Sequence, residues 1–154
     1  MTSADAPNNL EEFYRTPKKF QQTFLTPLKN LRSFVATIMS MNQKIESGRL
    51  TIEQAVFKPK DLIELLARYS LPLRYSSGVS LVAVGKQEVE ALLETVFSEW
   101  IDFIFVPEPQ QFSIYADHDE FTTFFAQTQP ELEKLVTALT AKGFEKIPDY
   151  QREF

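Results

Sequence analysis

The chain reads as an α+β fold: an antiparallel or mixed sheet of four to five strands, with two to three N-terminal helices packed on it. Three observations predict this. Apolar residues recur at spacings of three and four through much of the first half. Beyond residue 78 the period alternates between that of strands and that of helices. The 154 residues, 44% hydrophobic and without cysteine, suit one domain that folds without disulfides. The expected layout is a disordered tail over residues 1–9 and a single domain over 10–154. Within that domain, 10–75 is a helical part and 79–154 an α+β part.

The tail is polar, with Pro7 and two asparagines. A short helix is expected over Leu10 to Arg15, before Pro17. Thr26 and Pro27 resemble an N-cap followed by proline at the first helical position, and Gly48 a helix stop. Between them Leu28, Leu31, Val35, Ile38 and Ile45 form one stripe, with Asn42 where an apolar residue is due. A core asparagine sets register in coiled coils, so helix 27–47 is a candidate seam for a homodimer. Thr51 with Gln54 resembles a capping box opening a short helical turn, and Lys60 to Tyr69 a further helix.

Val79 to Val84, rich in β-branched residues, reads as a strand, and Lys86 to Ser98 as an amphipathic helix. Strands follow at Ile101 to Phe105, Phe112 to Ala116 and Phe121 to Ala126. A capped helix covers Pro130 to Lys142, and Phe144 to Phe154 adds a last strand. This succession resembles a ferredoxin-like split βαβ order, a topology that implies no function by itself.

Charge is unevenly placed. Residues 1–60 carry nine Lys/Arg and five Asp/Glu, a net of +4, whereas residues 61–154 carry seven and sixteen, a net of −9. Between Lys86 and Lys134 there is no cation but eleven acids. The acidic total argues against general nucleic-acid binding. No apolar run is long enough to span a membrane, and no signal peptide is visible, so a cytoplasmic location is expected.

The stretch YADHDEFTTFF, Tyr115 to Phe125, holds the only histidine, His118, among Asp117, Asp119 and Glu120. Asp and His tolerate unusual turn dihedrals, so a hairpin tip is the plain reading. The chemical alternative is a carboxylate-rich site in a metal-dependent enzyme, acting through the Asp117–Glu120 cluster. One histidine without cysteine is a poor zinc donor set. The four glycines stand alone, which excludes phosphate loops, and no serine has a nucleophile-elbow context. Nothing calls for a cofactor. The segment FYRTPKKFQQTFLTPLKNLR mixes aromatics with cations, read as an arm anchored by its rings rather than a nucleic-acid or lipid patch.

The expectation is therefore a non-catalytic protein-binding module presenting an acidic face to a basic protein partner. A bacterial inhibitor, an immunity protein or an adaptor has this charge profile. The candidate contacts are Trp100, Glu108, Tyr115, Asp117, His118, Asp119 and Glu120. A small-ligand sensor is a further alternative.

Overall fold

A computed structural model describes residues 1–4, 13, 15–41, 44–71, 78–150 and 152. The strands are β1 (Thr2–Ala4), β2 (Gln21–Leu25), β3 (Ser47–Ala55), β4 (Val79–Val84), β5 (Ile101–Glu108), β6 (Phe112–Ala116), β7 (Phe121–Ala126) and β8 (Lys146–Ile147). The helices are α1 (Leu31–Met39), α2 (Lys60–Ala67), α3 (Lys86–Ser98) and α4 (Gln129–Ala141), and a single 3₁₀ turn covers Lys18–Phe20. The strands form one sheet in the order β1-β4-β3-β5-β6-β7-β2-β8, every neighbouring pair antiparallel.

The α+β class holds, but an eight-stranded sheet replaces the expected four to five strands, and the ferredoxin-like arrangement does not stand. The cause lies in the first half, which supplies three strands, one in the expected tail and two in the part expected to be helical. Residues 49–53, Arg-Leu-Thr-Ile-Glu, alternate strictly, and Leu50 and Ile52 are fully buried while Arg49 is exposed. That period of two outweighs the capping pattern of Thr51 and Gln54. β3 then inserts between β4 and β5, so these two strands do not pair. β2 adds to the far side of β7 and carries β8 at its own edge.

The long helix expected over 27–47 is shortened to α1, which starts after Asn30. The Thr26 hydroxyl bonds that of Thr122 at 2.6 Å instead of capping a helix. Gly48 is a strand residue, required because the Phe105 ring lies across it. Phe34, Val35, Ile38 and Met39 of α1 are buried in the chain's own core, so the stripe that would have formed a dimer seam is already used. Asn42 lies outside the described residues. Of the expected tail, Thr2–Ala4 pairs with β4, and residues 5–9 lie outside the described residues.

The helices α1 to α4 pack on one face of the sheet. Their apolar sides join Phe24, Leu50, Ile52, Leu81, Phe103, Phe105, Ile114 and Phe124 in a single core. Edge-to-face ring contacts link Phe34 with Phe97, Phe124 and Phe144 at 5.1–6.1 Å. The other face carries polar pairs. Thr51 meets Ser80 at 2.9 Å, and Thr23 meets Thr123 at 2.7 Å, each pair buried and mutually bonded. Phe13 lies on this face against Ile104 and Phe125, which ties the basic N-terminal segment down by an aromatic ring.

Candidate interaction surface

The β6–β7 turn sits at the end of the sheet where β3 finishes and β5 begins. It is a three-residue loop closed by a 3.0 Å bond from Asp117 N to Phe121 O. Asp117 Oδ1 accepts from Asp119 N at 2.9 Å and from Phe121 N at 3.2 Å, the local bonding for which aspartate is favoured in turns. Glu120 takes the left-handed position, φ 70°, that closes such a loop. At the backbone level YADHDEFTTFF is therefore a strand, a turn and a strand.

The turn is also held from outside. Asp102 on β5 is only 8% exposed, and its Oδ1 accepts His118 N at 2.7 Å and meets His118 Nδ1 at 2.8 Å. That ring bond raises the His118 pKa above the usual imidazole value. Burial opposes the rise, and the charges of Asp102, Asp119 and Asp117 add to it. A β-bulge between Ile52 and Gln54 puts Glu53 beside Asp102. Burial first, and the Asp102 charge second, raise the Glu53 pKa.

Tyr115 lies on the helix-free face of β6, with its phenol pushed up to about 12, chiefly by burial, against a lowering by Arg152 and with rises from Asp102, Glu53 and Asp117. Arg152 folds over it, with the guanidinium carbon 4.4 Å from the ring centroid. Arg152 Nη1 donates to Asp117 Oδ2 at 2.5 Å, so this carboxylate is neutralised within the chain.

Trp100 occupies the corner between α3 and β5 in a left-handed conformation, φ 59°. Its neighbour Glu99 caps α2, accepting from Asp61 N at 2.6 Å and Leu62 N at 3.0 Å. Ala55 pairs with Ile101, so the next residues outward, Val56 and Trp100, flank the same rim. Val56 and Phe57 are the exposed apolar residues there, Phe57 at 64%.

The structure therefore brings Trp100, Tyr115, Asp117, His118, Asp119 and Glu120 to one end. Glu108 is not among them. It closes the opposite end of β5, roughly 20 Å from Asp102 at about 3.3 Å per residue. There it borders an open groove of about 280 Å³ with Ser47, Arg49, Val82 and Val106. Nor do the eleven acids of the cation-free run make one continuous face. Glu88 and Glu90 lie on α3, paired with the Met1 amine and Lys86, and Glu131 and Glu133 lie on α4.

Sequence reasoning missed Asp102, Glu53, Phe57 and Arg152. Asp102 carries a legible signal, as the single acid inside the apolar run Ile101 to Val106. Arg152 carries none. Among the described residues, no three or more of His, Asp and Glu gather as metal ligands, and the Asp117 carboxylate is engaged by Arg152 and two amides. The described residues also contain no helix long and apolar enough to cross a membrane. No protein-family profile, no curated protein and no solved structure matches the chain.

Proposed function

We propose that the chain is a non-catalytic protein-binding module whose hairpin end captures a basic partner. The observation that carries this reading is an exposed apolar pair, Val56 and Phe57, on a rim of uneven charge. Glu53, Asp61, Glu99, Asp102, Asp117, Asp119 and Glu120 stand there against Lys29, Lys58, Lys60 and Arg152. With His118 neutral, seven acids less four cations leave an excess of three negative charges. Among the described residues the Asp119 side chain, 73% exposed, has its one ion pair with His118 Nε2 at 3.8 Å, and Glu120 has none. An aromatic anchor surrounded by polar groups is the usual anatomy of a binding surface. A net negative rim favours encounter with an oppositely charged partner, an effect that weakens as salt rises.

The test uses a synthetic peptide with alternating basic and aromatic residues, titrated into isotope-labelled protein. Amide shifts should concentrate on residues 55–57, 99–102 and 117–121 and weaken steeply as salt rises. Asp119→Lys with Glu120→Lys should abolish them. Shifts spread evenly over the surface, or binding indifferent to salt and to the double substitution, would refute the proposal.

A further inference from the structure

The Arg152 side chain is 6% exposed, in a setting built almost entirely by the β6–β7 hairpin. Nη1 bonds Asp117 Oδ2, while Nη2 faces Phe121 O at 3.3 Å, Tyr115 O at 3.4 Å and Thr123 Oγ1 at 3.2 Å. The Tyr115 ring lies beneath the guanidinium, and Tyr150 stands 5.9 Å away. One carboxylate, two carbonyls, one hydroxyl and an aromatic face make a receptor for a planar, multiply donating cation. An ammonium point charge matches it poorly.

Two features indicate that the receptor does not depend on this particular arginine. First, its walls are fixed from elsewhere. Asp117 is oriented by the amides of Asp119 and Phe121, Thr123 is fixed by Thr23, and the carbonyls belong to paired strands. Second, Arg152 fills it incompletely. Its Nε is buried and bonds nothing among the described residues, and the Nη2 contacts are longer than a good N–H···O bond of about 2.9 Å.

We propose that this pocket is an arginine-recognition site, occupied here by the chain's own Arg152, and that an arginine of a basic partner enters by displacing it. The inference rests on the partner-capture reading and gives it a chemistry: the partner presents arginine rather than lysine. It also makes Arg152 an internal competitor that tempers affinity for other cations.

The experiment compares an arginine-containing peptide with its lysine counterpart on wild type, Arg152→Ala and Arg152→Lys, reading the amide shifts of Asp117, Phe121 and Thr123. Arg152→Ala should bind the arginine peptide at least tenfold more tightly than wild type. Asp117→Asn in that background should remove the gain, and the lysine peptide should gain little. If Arg152→Ala fails to fold, Arg152→Lys retains a cation at Asp117 and should still show tighter arginine binding than wild type. Equal affinity of wild type and variant for the arginine peptide would overturn the proposal, as would equal gains for both peptides. Rim shifts with both peptides and no arginine preference would overturn it while leaving partner capture standing. Absence of rim shifts with either peptide would overturn both.

Discussion

Replacing Gly48 by alanine tests the packing logic of the sheet centre. Gly48 lies in β3 opposite Ala83 and Pro107, and a Cβ built on it would sit 2.1 Å from Cε2 and 2.3 Å from Cζ of Phe105. Phe105 is fully buried among other rings and side chains, so it has little room to withdraw. The unfolded chain pushes the other way: alanine loses less backbone freedom than glycine on folding, which favours the variant by about 0.4–1 kcal/mol. Overpacking a tight core costs about 1–3 kcal/mol, and contacts this short belong at the upper end. The net expectation is a loss of about 2 kcal/mol. With a urea slope of about 2 kcal/mol per molar, the midpoint should fall by about 1 M. Phe105→Leu removes the atoms in conflict, so in that background Gly48→Ala should cost at least about 1 kcal/mol less. A midpoint that stays or rises in Gly48→Ala, or an identical loss in both backgrounds, would refute the reasoning.

His118 should titrate above its unfolded value of about 6.5, because its ring bond to Asp102 favours the imidazolium. A raised folded pKa means the stabilisation is full below about pH 6.5 and is lost as pH rises through the folded value, so urea midpoints should fall from pH 6 to pH 8.5. His118→Asn should flatten that fall, and an NMR titration placing the wild-type ring at or below its unfolded value would exclude the effect. Glu120→Gly should raise stability by about 0.5–1 kcal/mol, since the left-handed position strains a side chain by more than glycine's extra entropy costs. Thermal unfolding with an unchanged or lowered midpoint would contradict this account of the turn.

Much of the second half was legible because its segments are long and cleanly periodic. Val79–Val84, Lys86–Ser98, Phe112–Ala116 and Phe121–Ala126 form where their apolar spacing places them. Their assembly was not legible. A strand period says which face is buried and nothing about which neighbour it meets. The order turned on β3, where a true alternation over Arg49–Glu53 competed with a capping pattern and a lone glycine. Gly48 illustrates the ambiguity: the residue that ends helices also permits a ring from the next strand to cross the backbone. At the candidate surface, the turn residues were visible through Asp117 and His118. The groups that hold them, Asp102 and Arg152, lie 16 and 34 residues from His118 and became neighbours only through the sheet.

The absence of cations between Lys86 and Lys134 acquires a structural meaning from that assembly. β5, β6 and β7 are drawn wholly from the cation-free run, so these three strands contribute no Lys or Arg. Yet the hairpin geometry creates a nearly buried carboxylate at Asp117, which calls for a cation in addition to the two amides that orient it. The charge must come from another part of the molecule or from another molecule. His118 answers for Asp102 from within the run, but only while protonated. Arg152 answers for Asp117 from the far end of the chain, with one donor unbonded among the described residues. On the partner-capture proposal, a basic partner competes with Arg152 to supply that charge. The arginine peptide titration measures which source prevails.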